Sequence, residues 1–156
     1  MRIALKYGLL ITLVIVVWVV VTHFVFPLPP TSTLNLLAPV LFNLAAIVAL
    51  YLGIKSRKAE GEMTFKEGLK TGLSISLVYA LSASLFFLLL LLIVGPSIMA
   101  GEPMAANYPM WKVALQAFSG MFFGSLILGL VYSTIISFFL AKRRSRSTRV
   151  SVKPAA

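Results

Sequence analysis

The sequence contains no cysteine and a single histidine, His23. Without cysteine, disulfide bonds, thiol redox chemistry and cysteine-ligated metals are excluded. One histidine supplies neither the axial pair that haem between helices usually takes nor the three protein ligands of a catalytic zinc. It also leaves the serines without a plausible base for nucleophilic catalysis. We therefore predict no catalytic residues, no metal site and no cofactor, and we expect that the protein is not an enzyme.

Charged residues are also scarce, at 12% of the chain, compared with about 25% in soluble proteins. None lies in the central part of a long apolar run. Charges inside a membrane typically mark ion and proton pathways, because inserting one at mid-helix costs at least about 2.5 kcal/mol. The four acidic residues are all predicted outside the hydrocarbon, which argues against a proton-coupled transporter. They are Glu60, Glu62, Glu67 and Glu102.

Apolar residues, by contrast, make up 60% of the 156 residues. A soluble fold of this size could not bury so much apolar surface, so the chain needs lipid as its solvent. A spanning helix takes roughly 20 apolar residues, and four such runs fit. We predict an all-α integral membrane protein, a four-transmembrane-helix bundle that forms one domain over residues 1–141. The predicted spans are approximately residues 8–26, 34–54, 69–95 and 112–141.

Prolines and one capping pattern set limits for these helices. The proline cluster of residues 27–30 cannot continue a helix, because proline lacks the amide donor. Pro39 either lies at the start of the second helix, where the missing amide costs little, or kinks that helix. Thr64, followed three residues later by Glu67, is typical of a capping box. The third helix is therefore predicted to begin near Phe65.

The net charge of +10 is concentrated at the ends of the predicted spans. If four spans alternate, the basic residues at the N-terminus, around the connector (residues 55–70) and in the C-terminal tail (residues 142–156) fall on one side of the membrane. Lys112 alone falls on the other side. The positive-inside rule then predicts that both termini are cytoplasmic.

The same charge indicates which partners to expect. The tail is predicted to be basic and disordered. It either binds anionic membrane lipid or serves only to anchor the topology. Nucleic acid is not an expected partner, since no basic folded surface is available to carry it.

Small residues recur at four-residue spacing in the third and fourth spans. In lipid, helices associate through close approach at small residues and through interhelical hydrogen bonds, and this spacing places residues along one helix face. We predict that the third and fourth helices pack through these faces; the alternative is that one face dimerises with a second copy. The predicted packing residues are Gly68, Gly72, Ser76, Ala80, Ser84, Gly120, Gly124, Ser125, Gly129, Ser133 and Ser137.

Four polar side chains are predicted at similar depth, roughly 14–18 Å from the nearest cytoplasmic lysines at 1.5 Å per residue. A hydroxyl or amide in hydrocarbon needs a partner, so we expect them to form one layer facing the bundle interior. This layer either only links the helices or binds a small polar ligand or ion. Its residues are Asn43, Tyr79, Ser82 and Tyr132.

The residues around the connector resemble a bacterial membrane-protein family, the domain of unknown function four-one-nine-nine. The similar residues are Gly53-Ile54-Lys55-Ser56-Arg57 and the segment from Gly61-Glu62-Met63-Thr64-Phe65 through Gly68 to Gly72. The resemblance implies a multi-pass protein of the bacterial cytoplasmic (inner) membrane. It brings no known activity or site residues.

Function is predicted mainly by exclusion. The expected role is a non-enzymatic scaffold or accessory subunit, whose partner is another membrane protein or a second copy of this chain. The alternative is a small oligomeric channel or transporter without a proton-coupling carboxylate.

Overall fold

The computed structural model describes residues 2–26, 32–95 and 109–141, and in these ranges the chain is helical without strands. The predicted tail and its anionic-lipid binding lie outside the described residues. The helices are α1 (Arg2–Val20, continued by a π-helical turn, Val21–Val25), α2 (Thr33–Ala59), α3 (Phe65–Val94) and α4 (Met110–Leu140). All four helices are long and apolar enough to cross a membrane. The predicted all-α membrane fold is confirmed.

Large apolar side chains cover the outside of the bundle. Ile93 and Phe139 are 79% and 78% exposed, and every helix carries exposed leucine, isoleucine, valine or phenylalanine. Many of the fully buried positions hold small residues instead, such as Ser76, Ala80 and Ala83. This distribution is expected when lipid solvates the outer surface, because helix association then depends on close contact at small side chains.

The predicted capping box is present at the start of α3. The Thr64 hydroxyl accepts a hydrogen bond from the Glu67 backbone amide at 3.3 Å, and the Thr64 amide donates to Glu67 Oε2 at 2.9 Å. These two bonds satisfy amides that the first turn would otherwise leave free. They account for the beginning of the helix at Phe65.

Pro39 lies inside α2 rather than at its start. The helix begins at Thr33 because Ser32 caps it, with the Ser32 hydroxyl accepting from the Asn35 amide at 3.3 Å. Of the two alternatives for Pro39, a helix that begins just before it is excluded, because six helical residues, Thr33–Ala38, precede it. The Pro39 carbonyl accepts a hydrogen bond of 2.7 Å from the Asn43 side-chain amide, one turn further along.

Consecutive helices run antiparallel, and side-chain hydrogen bonds tie them together. Tyr7 Oη lies 2.9 Å from Ser56 Oγ between α1 and α2. In α4, Tyr132 donates to Asn43 of α2 at 2.8 Å. The most extensive packing is between α3 and α4. We call the end of the bundle that carries Arg2, Ala59, Phe65 and Leu140 the near end.

We expect Thr64→Ala to lower the free energy of unfolding by about 1 kcal/mol, since it removes the side-chain cap of α3. Thr134→Ala is the matched control, because the exposed Thr134 hydroxyl donates to the Leu130 carbonyl of its own helix, at 2.8 Å, and to no other described residue. The control should change stability by less than about 0.5 kcal/mol. Unfolding in mild detergent, followed by circular dichroism, measures both. If both substitutions lowered the free energy of unfolding equally, the result would contradict a stabilising contribution from the Thr64 cap.

Candidate functional site

The α3–α4 interface brings a glycine of one helix against a serine of the other. A Cβ atom added at Gly72 would lie 2.5 Å from Ser133 Cβ, and real Cβ atoms essentially never approach within 3.0 Å. Only glycine fits there without separating the helices. The glycine–serine pairs are Gly68–Ser137, Gly72–Ser133 and Gly129–Ser76.

The pairs keep one register along the interface. Each step of four residues up α3 matches a step of four residues down α4, so the two faces remain opposed in this antiparallel pair. Continued at the same spacing, this register predicts Ala80 opposite Ser125 and Ser84 opposite Met121. Of the predicted small-residue faces, every member from Gly68 to Ser84 is buried in α3, as are Gly129, Ser133 and Ser137 in α4.

Several serines in this interface supply small volume rather than hydrogen bonds. The hydroxyls of Ser84, Ser133 and Ser137 are buried and have no hydrogen-bond partner among the described residues. Ser76, in contrast, donates to the Gly72 carbonyl of its own helix at 2.9 Å. The close approach of the helices, more than bonds across them, therefore holds α3 against α4.

Gly120 and Gly124 do not belong to this interface, although they were predicted there. Both are exposed, and apart from the adjoining residues and backbone of α4 itself, no described atom lies within 4 Å of a Cβ placed on either residue. Gly124 precedes Ser125 by one residue, which corresponds to about 100° around the helix. Met121, four residues before Ser125, takes the partly buried position instead.

The two glycines form part of an exposed face of α4 that we call the outer α4 face: Gly120, Phe123, Gly124 and Ile127. These spacings of three and four residues place all four on one side of the helix. Phe123 and Ile127 are 60% and 62% exposed. This face combines a gap at the glycine pair with large apolar side chains beside it.

A cavity of about 210 Å³ lies between α2, α3 and α4 and contains three members of the predicted polar layer, Asn43, Tyr79 and Tyr132. Asn43 is paired at both ends of its amide: Oδ1 accepts from Tyr132 at 2.8 Å and Nδ2 donates to the Pro39 carbonyl at 2.7 Å. The Tyr79 hydroxyl makes no hydrogen bond within the described part of the chain. Ser125 and Ser76 also contribute to the wall.

Ser82, the fourth predicted member, does not line this cavity. Its hydroxyl lies 2.6 Å from Thr12 Oγ1 of α1 and donates to the Val78 carbonyl at 2.7 Å. Three residues beyond Tyr79 on a helix leave Ser82 turned by about 60°, toward α1. The predicted single layer is thus two separate polar contacts.

Sequence reasoning missed the packing of α1 against α3. Thr12 is 8% exposed and lies one turn after Gly8, at which an added Cβ would approach Val78 Cγ1 to 2.7 Å. The signal was present as a glycine and a threonine four residues apart within an apolar run. A single small-residue pair of this kind is common in membrane helices, which is why it did not stand out.

A second cavity, of about 550 Å³, opens at the near end between α1, α2 and α3. We call it the near-end cavity. Five charged side chains line it: Arg2, Arg57, Glu60, Glu67 and Lys70. Four of them lie in or beside the connector (residues 55–70), whereas Arg2 is distant in the sequence, so no motif could have predicted that Arg2 joins the connector charges. Among the described residues, no group of three or more histidine or acidic side chains is placed to hold a metal ion.

Comparison with known proteins finds one family. A family model described as "Protein of unknown function (DUF4199)" matches residues 6–142, from the first turns of α1 to just beyond the end of α4. No curated protein and no solved structure matches the chain.

Proposed function

The chain belongs to the DUF4199 family of proteins of unknown function, the family that its connector residues resemble, and we propose that it is a non-enzymatic accessory or scaffold subunit of a membrane assembly. Its four apolar helices make it a multi-pass membrane protein. The proposal includes a location in the bacterial inner membrane with the near end and both termini in the cytoplasm. The basic residues concentrated at that end support this orientation.

The main observation in support of this proposal is the outer α4 face. Glycine within a helix lowers helix stability by about 1 kcal/mol relative to alanine. In a helix that contacts only lipid, no close packing offsets this loss. At Gly72 and Gly129 the same chain uses glycine to admit a neighbouring helix at close range. Gly120 and Gly124 have the same spacing and no neighbour among the described residues. A partner helix packed against Phe123 and Ile127 would use that gap.

The interior of the bundle supports an accessory role better than a pore through a single chain. Leu50, Ile54 and Ile75 are at most 1% exposed. The cavity between α2, α3 and α4 and the near-end cavity share no lining residue. These two cavities are therefore not parts of one continuous polar passage.

Site-specific photo-crosslinking in native membranes tests the proposal. We expect a photoreactive phenylalanine at Phe123 to form a discrete adduct with another membrane protein. The same substitution at Phe139, an exposed phenylalanine near the other end of α4, is the matched control and should give no such adduct. Adding Gly124→Leu should remove the Phe123 adduct, because the leucine fills the gap while leaving the fold intact.

The adduct's composition separates the outcomes. Adducts of similar yield from Phe123 and Phe139, unaffected by Gly124→Leu, would contradict a partner surface on the outer α4 face. An adduct of two copies of this chain would replace the accessory role by self-association.

A further inference from the structure

Three cationic side chains converge on the near-end cavity from three helices. Arg2 begins α1, Arg57 lies in the last turn of α2 and Lys70 lies in the second turn of α3. Two carboxylates, Glu60 and Glu67, share the rim. Because charged side chains accumulate at the ends of membrane-spanning helices, we infer that the cavity lies at the edge of the bilayer, where lipid headgroups are found.

Both carboxylates are already engaged within the protein. Arg57 pairs with Glu60, with 3.2 Å between Nη1 and Oε2. Glu67 accepts hydrogen bonds from the Thr64 amide and hydroxyl at 2.9 and 3.0 Å. Arg2 and Lys70 make no ion pair or side-chain hydrogen bond with the described residues. The cavity therefore holds two cations without an ion-pair partner among the described residues, and because Glu67 keeps its negative charge, its five charged side chains sum to +1.

Each of these two cations stands at the head of a line of exposed leucines that runs into the bilayer. On α1, Leu5, Leu9 and Leu13 follow Arg2 at spacings of three and four residues, and all are exposed. On α3, the exposed residues Leu73, Leu77 and Leu81 follow Lys70 in the same way. These spacings keep each line on the same helix face as its cation. The Gly8–Val78 and Thr12–Ser82 contacts show that α1 and α3 run parallel and side by side.

We propose that the near-end cavity binds the phosphate of an anionic lipid headgroup, with the acyl chains along the leucines of α1 and α3. The Arg2 guanidinium can donate two hydrogen bonds to one phosphate, and Lys70 adds a compact positive charge. A free phosphate would meet the same cations but would make no use of the leucine lines. This site involves neither the C-terminal tail nor the outer α4 face, so it stands independently of the proposed partner surface.

Three variants, each lacking two positive charges, test the site in the full-length protein. Arg2→Gln/Lys70→Gln removes the cavity cations. Lys58→Gln/Lys66→Gln removes two exposed lysines of the near end that do not line the cavity. Arg143→Gln/Arg144→Gln removes two tail charges. Native mass spectrometry in neutral detergent measures the binding of added phosphatidylglycerol and, as a neutral comparison, phosphatidylcholine.

We expect the cavity variant to bind phosphatidylglycerol about 30-fold more weakly than the unmodified protein, since it lacks two basic residues that contribute roughly 1 kcal/mol each near a lipid headgroup. The other two variants should stay within about twofold. Phosphatidylcholine should bind weakly to all proteins and respond to none of the substitutions. Arg2 and Lys70 are exposed, so the cavity variant should keep the circular dichroism spectrum of the unmodified protein.

Equal weakening in all three variants would overturn the proposal in favour of general charge attraction. Weaker phosphatidylglycerol binding in the tail variant alone would overturn the proposal and show that the tail binds the lipid. A final arm adds inorganic phosphate. If inorganic phosphate binds as tightly as phosphatidylglycerol, and loses the same affinity in the cavity variant, the leucine lines contribute nothing and the lipid assignment fails.

Discussion

Replacing Gly72 by leucine is expected to lower the free energy of unfolding by about 3 kcal/mol. Even a single Cβ at this position would collide with Ser133 Cβ and lie 3.2 Å from Ile54 Cδ1. Ser133 Cβ cannot rotate away, since it is fixed to the α4 backbone, so α3 and α4 must separate. Unfolding in mild detergent, monitored by circular dichroism, measures the loss.

Gly124→Leu is the matched control for this prediction. It makes the same change in a membrane helix, but no described atom beyond the adjoining residues and backbone of α4 itself lies within 4 Å of the added Cβ. It should leave the free energy of unfolding unchanged or raise it by up to about 1 kcal/mol, because leucine is the better helix former. Equal losses from both substitutions would show that glycine's backbone, and not its contact with α4, is responsible.

Two substitutions that should compensate for each other provide a more specific test of this contact. Gly72→Ala alone should destabilise the protein by about 1–3 kcal/mol, although alanine is the better helix former. Adding Ser133→Gly removes the side chain with which the alanine collides and should restore at least half of the loss. An additive effect of the two substitutions would contradict the contact.

Asn43→Leu is expected to lower the free energy of unfolding by about 1–2 kcal/mol, because it removes the acceptor of the Tyr132 hydroxyl in a cavity within the apolar bundle. Tyr132→Phe should cost a similar amount, since it leaves Asn43 Oδ1 without its donor. The double substitution should cost less than the sum of the two. Thermal unfolding of the three variants gives a coupling energy of about 1 kcal/mol.

Tyr79→Phe provides the control for this pair. Tyr79 lines the same cavity, but its hydroxyl makes no hydrogen bond within the described residues. Its loss should change the free energy of unfolding by less than about 0.5 kcal/mol. A coupling near zero, or an equal cost at Tyr79 and Tyr132, would argue against the Asn43–Tyr132 bond as a link between α2 and α4.

The candidate sites were only partly predictable from sequence. The α3 face from Gly68 to Ser84 could be read from its spacing, because four-residue periodicity is a local property of a helix. Spacing alone could not predict whether α4 packs through Gly120 and Gly124 or through the face that contains Ser125. Lipid solvates apolar side chains on every side of α4, so no hydrophobic period indicates which small residues are buried.

The amino-acid sequence by itself determined that lipid solvates the protein, that four apolar runs form helices, and that α3 starts after Thr64. The apolar runs require lipid, and Thr64 with Glu67 caps its helix through neighbours three residues apart. Only the tertiary structure decided that Ser82 pairs with Thr12, and that Arg2, Arg57 and Lys70 share one cavity. These relations join residues on different helices. They depend on helix rotation and register, which close packing sets and local sequence does not encode.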